Sequence, residues 1–201
     1  MHKFILASQS PARLKILRDA GFDPIPEPSE VDEDAIVKAQ EATDASEYVK
    51  TLAEAKALDV AKNHQSEHAL ILGADSALSF QGKILGKPHE PEIATNRWRE
   101  MRGGHGELFT GQSLVDSATG KTSTMVSSTK VWFSNISDLQ IQRYVNSKEP
   151  LSVAGAFTID SLGGAFIDKI EGDYHTVVGL SLRLLREMLA ELEFEYTDFW
   201  R

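Results

Sequence analysis

The first seventeen residues contain the pattern that most constrains the fold: a short apolar run, a small polar turn and a helix that begins at once. The apolar run covers residues 4–7, Ser10 is a favourable N-cap, and Pro11 suits the first helical position. Gly21 is placed to end the helix. Arg13 lies in the first turn, where a helix N-terminus can bind an anion. An ordinary strand-to-helix turn with a solvated arginine is the alternative.

Composition limits the chemistry that is open to the chain, which has 201 residues, no cysteine and a formal net charge of -9. The lack of cysteine excludes disulfides, thiolate metal sites and a cysteine nucleophile. The negative charge argues against nucleic-acid and membrane partners, which need a basic face, but it permits an anionic small molecule in a cleft with a few cations. Because the apolar run near the N-terminus is too short for a signal peptide or a membrane span, we expect a cytoplasmic protein.

Helical and strand patterns alternate along the chain, without an internal repeat or a long flexible linker. This alternation predicts an α/β architecture, which we expect to form one domain with or without a division into two lobes. Helices are predicted at residues 46–62, 90–101, 137–145 and 180–192, and strands at 69–73, 77–80, 83–85, 108–115 and 127–133.

Two charged residues stand out against the apolar pattern around them. Asp75 follows the apolar run 69–73, and open α/β sheets bind their ligands at the carboxyl ends of buried strands. A carboxylate there can hold a divalent cation or activate a water, or it can simply stabilise a turn. Lys56 interrupts the apolar stripe of its predicted helix, so it must either reach solvent or meet an anion.

Further charged residues lie in predicted turns and loops. Lys83 and Lys87 flank Gly86, and the turn GKP at residues 86–88 would hold Lys87 in a fixed direction. Asp32 and Glu33 could ligate Mg²⁺ or Mn²⁺. A solvated side chain is the alternative for each of these residues. The sequence contains no P-loop, dinucleotide-binding, zinc-protease or nucleophile-elbow motif.

The order and spacing of these residues resemble the Maf family of nucleoside triphosphate pyrophosphatases along nearly the whole chain. The matching segments are residues 6–13 (LASQSPAR), 31–33 (VDE), 52–57 (LAEAKA), 73–76 (GADS), 82–88 (GKILGKP), 144–145 (YV), 149–150 (EP), 154–157 (AGAF), 170–174 (IEGDY) and 177–180 (VVGL). Segments 97–102 and 156–160 are most similar to the actinobacterial branch of that family.

The resemblance implies a hydrolase that acts on a phosphoric anhydride. Such an enzyme cleaves a nucleoside or deoxynucleoside triphosphate, canonical or modified, into the monophosphate and pyrophosphate with Mg²⁺ or Mn²⁺. The implied fold, of the Maf/ITPase-like type, is an elongated mixed β-sheet flanked by helices. Residues 1–201 would form one domain of two lobes with the active site in a cleft, and the protein would be a homodimer. A nucleotide-binding regulator of septum formation without significant turnover is the alternative function.

The resemblance also assigns roles to individual residues. Asp75 matches the catalytic carboxylate, either as the proton acceptor for the attacking water or as a metal ligand. Glu33 would serve the metal. The implied substrate-binding residues are Ser8, Arg13, Lys56, Lys83 and Lys87.

Three positions depart from the pattern of the thymidine/uridine-type members. Ala12 stands in place of an arginine, Ser76 in place of a threonine and Asp160 in place of a glutamine. The 7-methylguanosine-type members carry tryptophan and glutamine at the first two positions, so we expect neither base preference to transfer. Because an ionised carboxylate accepts hydrogen bonds and donates none, we expect Asp160 to face amino or imino groups of the base.

Overall fold

The computed structural model describes residues 3–40, 44–65 and 67–201. Within them, the strands are β1 (Lys3–Leu6), β2 (Ile25–Pro26), β3 (Ala69–Phe80), β4 (Lys83–Leu85), β5 (His105–Asp116), β6 (Thr122–Phe133) and β7 (Ile167–Glu171). The α-helices are α1 (Pro11–Asp19), α2 (Glu33–Gln40), α3 (Ala45–Ala61), α4 (Pro91–Met101), α5 (Asp138–Asn146), α6 (Tyr174–Val178) and α7 (Leu182–Glu191). In the described part of the chain we find no helix with the length and apolar character that crossing a bilayer requires.

The strands form one mixed sheet in the order β2-β1-β3-β5-β6-β7, with β4 paired to β3. Strands β1 and β2 run parallel, as do β1 and β3, whereas β3–β4 and β6–β7 are antiparallel. This sheet, flanked by helices, confirms the predicted mixed α/β fold class.

The chain divides into two compact units. Unit 1 contains Met1–Asp75, Thr110–Ser127 and Gly179–Arg201, and unit 2 contains Ser76–Phe109 and Ser128–Val178. The long strands β3, β5 and β6 contribute residues to both units. The organisation of residues 1–201 as a single two-lobed domain with an active-site cleft stays a prediction.

In unit 1, helix α3 packs against the sheet with its backbone in direct contact. A Cβ atom on Gly73 of β3 would lie 2.3 Å from the carbonyl oxygen of Ala53. A Cβ atom on Gly111 of β5 would lie 2.4 Å from the carbonyl oxygen of Val49. Because only glycine leaves room at these two points, α3 approaches the strands closely, and Lys56 of α3 comes beside β3.

The core of unit 2 is built around Trp98 of α4, whose side chain is fully buried. Its indole Nε1 donates a hydrogen bond to the carbonyl oxygen of Ala156 at 2.7 Å. The rings of Phe133, Tyr144 and Phe166 contact the indole edge-on. Such aromatic pairs favour edge-to-face geometry, so this cluster fixes the distance between α4 and α5.

Most of the predicted elements are confirmed, but the predicted break between strands 69–73 and 77–80 is wrong. Strand β3 is continuous over Ala69–Phe80, so Asp75 lies inside the strand rather than after it. Gly73, the last residue of the first predicted strand, instead makes room for close packing against α3. The parallel neighbour β1 ends at Leu6, opposite Leu72, so its pairing with β3 stops short of Asp75.

Candidate active site

A buried ion pair joins helix α3 to strand β3 in unit 1. The Nζ atom of Lys56 on α3 is 2.6 Å from Oδ1 of Asp75 on β3. The two side chains are 8% and 11% exposed, which excludes the alternative in which Lys56 reaches solvent. Val49, Leu52 and Ala53 of the same helix are fully buried, so the lysine is surrounded by apolar packing on its own helix. Lys56 therefore meets an anion, as one of the two alternatives predicted.

Glu33 contacts the same ammonium group from the first turn of α2. Its Oε1 atom lies 2.9 Å from Nζ of Lys56, and its side chain is 45% exposed. The neighbouring Asp32 has a different role, because its Oδ1 accepts a hydrogen bond from the backbone N–H of Ala35 at 3.0 Å. That contact is a helix N-cap, so Asp32 stabilises the start of α2 while Glu33 joins the ion pair.

The turn that leads into α1 is fixed by Arg13, which is buried rather than solvated. Its Nε donates to the carbonyl oxygen of Gly179 and its Nη1 to that of Ala74, both at 2.8 Å. The same Nη1 donates to Oγ of Ser8 at 3.2 Å, and Ser8 Oγ also accepts from the backbone N–H of Ser10. Arg13 thus ties the N-terminal turn to the strand residue next to Asp75.

The charges of Asp75 and Glu33 affect the pKa values of Arg13 and Tyr48. Burial lowers the pKa of the Arg13 guanidinium, while the charges of Asp75 and Glu33 oppose that change. Burial raises the pKa of the Tyr48 hydroxyl to about 12, and the charges of Asp75, Glu33 and Asp34 add to the rise. The phenol of Tyr48 therefore keeps its proton at neutral pH. Sequence reasoning missed Tyr48, although its position two helical turns before Lys56 on α3 was a usable signal.

We call Ser8, Arg13, Glu33, Lys56 and Asp75 the Asp75 cluster; all five lie in unit 1. The remaining predicted site residues are distributed over both units. Ala12 is a half-buried residue of α1 in unit 1, and Ser76 follows Asp75 along β3 at the start of unit 2.

The other candidate residues, Lys83, Lys87 and Asp160, are exposed residues of unit 2. Lys83 lies 4.0 Å from Oε2 of Glu100, whereas Lys87 makes no side-chain hydrogen bond or ion pair with the described residues. The site roles of these residues stay predictions.

The carboxylates of the cluster are compatible with a divalent metal, although they do not form a complete site. The described residues contain no group of three or more His, Cys, Asp or Glu side chains that could hold a metal ion. Asp75 and Glu33 nevertheless converge on one ammonium group from two elements. Mg²⁺ usually binds proteins through one or two carboxylates, completing its shell with water and substrate phosphates, so this pair fits it.

Comparisons with known proteins place the chain in a family. Residues 3–192 match the Maf-like protein family. The nucleoside triphosphate pyrophosphatase of Trichormus variabilis is 46% identical over 199 residues, covering 99% of this chain and 98% of that protein. The one of Thermosynechococcus vestitus is 48% identical over 198 residues, covering 98% of each chain. The one of Leifsonia xyli subsp. xyli is 45% identical over 207 residues, covering 98% and 96% respectively.

Among solved structures, a nucleoside-triphosphatase / dITP/XTP pyrophosphatase from Mycobacterium abscessus aligns at 13% identity and a TM-score of 0.44, covering 95% of this chain and 97% of that one. This likeness is too weak to bear on function. The family match and the relatives, which extend over nearly the whole chain, are sufficient by themselves: the chain belongs to the Maf-like protein family.

Proposed function

We propose that the chain is a nucleoside triphosphate pyrophosphatase and that the Asp75 cluster is its catalytic centre. The relatives from Trichormus variabilis and Thermosynechococcus vestitus carry this activity in their names. The observation that supports the location is the buried pair between Lys56 and Asp75. Buried charges are expensive for a fold to maintain, and they concentrate at functional sites.

The proposed reaction is attack by water on the α-phosphorus of the bound triphosphate. The oxygen of the water forms the new bond to the α-phosphorus, and the bond from that phosphorus to the oxygen that bridges it to the β-phosphate breaks. Pyrophosphate is the leaving group, and the nucleoside monophosphate is the other product. Asp75 can accept the proton of the attacking water, and Lys56 holds one of its oxygens at 2.6 Å and so fixes its orientation. Transfer at phosphorus depends mainly on positioning and on neutralising the charge of the phosphate oxygens.

Positive charge for the phosphates is available although the whole chain is acidic. Arg13 and Lys56 place two basic side chains in the cluster, and Ser8 keeps a hydroxyl proton to donate. A divalent cation such as Mg²⁺ or Mn²⁺, held by Asp75 and Glu33, would neutralise further charge on the phosphate oxygens. Lys83 and Lys87 are proposed as additional phosphate-binding residues on the strength of the family resemblance.

The two possible roles of Asp75 give different responses to metal concentration. If Asp75 serves only as a metal ligand, Asp75→Asn weakens metal binding, and a raised Mg²⁺ or Mn²⁺ concentration restores turnover. If Asp75 accepts the proton, no metal concentration restores it. Glu33→Gln is the comparison variant, because the proposal gives Glu33 a metal-binding role but no part in accepting the proton.

Base selection is proposed to depend on Ala12, Ser76 and Asp160, the positions that depart from the known types. We expect Asp160→Gln to change the ranking of nucleotides by kcat/KM, because glutamine adds a donor where the carboxylate only accepts. The measurement is kcat/KM for each of a panel of nucleotides. An unchanged ranking would contradict a contact between Asp160 and the base.

The test of the proposed function is pyrophosphate release from canonical and modified nucleoside triphosphates with Mg²⁺ or Mn²⁺. We expect turnover by the unsubstituted chain and its loss in Asp75→Asn, measured at a temperature at which the variant is folded. Asp19→Asn is the matched control, because Asp19 is exposed on α1 and its carboxylate pairs with the exposed Lys15, away from the Asp75 cluster. Nucleotide binding without turnover would instead favour a regulator.

Three finer expectations accompany the proposal and stay predictions. The chain is expected to form a homodimer, to act in the cytoplasm and to bind neither nucleic acid nor membranes. Sedimentation velocity at several protein concentrations tests the first, and a mass equal to one chain of 22.2 kDa at all of them would contradict it.

A further inference from the structure

One carboxylate in unit 2 accepts an unusual number of hydrogen bonds. The Oε1 atom of Glu149 accepts from the hydroxyl of Tyr144 at 3.0 Å, from the backbone N–H of Gly163 at 2.9 Å and from the hydroxyl of Thr158. Its Oε2 accepts from the backbone N–H of Leu162 at 3.1 Å. Three of these donors belong to one segment, residues 158–163, which we call loop 158–163.

The same loop is fixed a second time by Tyr144. The phenolic oxygen that donates to Glu149 also accepts from the backbone N–H of Thr158 at 3.2 Å. A Cβ atom on Gly163 would lie 2.3 Å from this oxygen and 2.7 Å from the carbonyl oxygen of Thr158, so a side chain at that position has no room. Both ends of loop 158–163 are therefore held by a carboxylate and a phenol from the segment before it.

Asp160 lies in the middle of this fixed loop and is exposed. Within the described part of the chain its carboxylate makes no hydrogen bond and no ion pair. Glu149 and Tyr144 thus fix both ends of the loop, while Asp160 in its middle presents a carboxylate to solvent. A binding residue on a rigidly held segment is the arrangement that ligand recognition requires.

The ionised form of Glu149 suits this holding role. Burial raises the pKa of Glu149, but hydrogen bonds from Thr158, Gly163, Ser161 and Tyr144 lower it by more, so its pKa lies below the ordinary value. Hydrogen bonds to an ionised acceptor are about twice as strong as neutral ones. The family segments YV at 144–145 and EP at 149–150, which had no role from the sequence, supply this pair of side chains.

We propose that Glu149 is a positioning residue for base selection: it holds loop 158–163 in the conformation that presents Asp160 to the base of the nucleotide. This inference rests on the proposed function and on the predicted contact between Asp160 and the base. Glu149 itself need not touch the substrate.

The test is Glu149→Gln, which keeps the shape of the side chain but replaces one acceptor oxygen by a donor. We expect the ratio of kcat/KM between the best and the second-best nucleotide to fall about tenfold, with KM changing more than kcat. In an Asp160→Ala background the same substitution should change this ratio by less than about twofold, because it acts through Asp160. Glu107→Gln is the matched control, since Glu107 is a carboxylate of unit 2 that accepts a hydrogen bond from Ser128, outside loop 158–163.

Amide hydrogen exchange provides a readout that does not depend on activity. The backbone N–H groups of Leu162 and Gly163 should exchange faster in Glu149→Gln than in the unsubstituted chain, whereas Glu107→Gln should leave them unchanged. If Glu149→Gln does not fold, Tyr144→Phe replaces it, and we expect the Thr158 amide to exchange faster and the nucleotide ranking to change in the same direction.

The outcomes separate this inference from the proposed function. Faster exchange in the loop with an unchanged ranking would overturn the inference while pyrophosphate release still stands. The inference would also be overturned if Glu149→Gln changed the nucleotide ranking equally in the unsubstituted chain and in the Asp160→Ala background. Glu149 would then affect base selection without Asp160. If the unsubstituted chain released no pyrophosphate, the proposed function would fail. Unchanged exchange of Leu162 and Gly163 would still overturn the inference separately.

Discussion

Replacing Lys56 by methionine removes the cation from the buried pair while it keeps most of the volume of the side chain. The side chain of Asp75, which is 11% exposed, then remains without its ammonium partner. Removal of one member of a buried pair leaves an uncompensated charge, which is strongly destabilising. We therefore expect Lys56→Met to reduce the free energy of unfolding substantially at neutral pH.

The size of this loss follows from the distance between Lys56 and Asp75 and from the exposure of Glu33. At 2.6 Å and an effective dielectric constant of about 20, the attraction between Lys56 and Asp75 is about 6 kcal/mol before desolvation is counted. Glu33 is 45% exposed, so its contact adds no more than about 1 kcal/mol. Breaking a buried pair costs about 3–5 kcal/mol in measured cases, and Asp75 should account for most of it. For a chain of this size that corresponds to a fall in Tm of about 6–20 °C.

The assay is urea unfolding and scanning calorimetry at pH 7, with Lys62→Met as the matched control. Lys62 is 69% exposed in its ion pair with Asp59, so its removal should change stability by less than about 1 kcal/mol. The double variant Lys56→Met with Asp75→Asn should be more stable than Lys56→Met alone, because no buried charge is left unpaired. A Lys56→Met variant within about 1 kcal/mol of the unsubstituted chain would refute this reasoning.

Two further predictions concern the packing and the pH dependence of unit 1. Gly73→Ala places a Cβ atom 2.3 Å from the carbonyl oxygen of Ala53, so we expect a loss of about 1–3 kcal/mol in urea unfolding, and unchanged stability would contradict the close packing of α3. Burial lowers the pKa of His64, but hydrogen bonds and charges of Glu27 and Glu67 outweigh it, so the folded pKa is raised. Its stabilisation is complete below the unfolded pKa of about 6.5 and is lost as pH rises through the folded pKa. The difference in free energy of unfolding between the unsubstituted chain and His64→Asn should therefore shrink with rising pH. A constant difference from pH 5 to 9 would contradict a raised pKa of His64 in the folded chain.

The sequence predicted the members of the Asp75 cluster better than their arrangement. The apolar stripe of α3 marked Lys56 as unusual, but stripe position alone left solvent and an anion as open alternatives. Whether Lys56 reaches solvent or an anion depends on how closely α3 approaches β3. That distance depends on Gly73, which leaves room for the helix backbone. Asp32 and Glu33 are adjacent in sequence, and only the start of α2 decides which of them caps the helix and which reaches Lys56.

Other features lay beyond what local patterns can predict. Strand β3 continues through Gly73 because close packing of α3, not a turn, requires glycine at that position. Strand β7 and helix α6 are each five residues long, too short for a clear period. The hydrogen bonds of Glu149 to Leu162 and Gly163 join residues 13 and 14 positions apart, so no local spacing rule predicts them.

The measurement that tests the central claim most directly is the identity of the products from a turned-over nucleoside triphosphate. Phosphorus NMR of the reaction mixture distinguishes cleavage between the α and β phosphates from cleavage between the β and γ phosphates. It is recorded for the unsubstituted chain and for Asp75→Asn. The account predicts nucleoside monophosphate and pyrophosphate in equal amounts, formed by the unsubstituted chain and not by Asp75→Asn. Nucleoside diphosphate and orthophosphate as products, or unchanged turnover in Asp75→Asn, would contradict it.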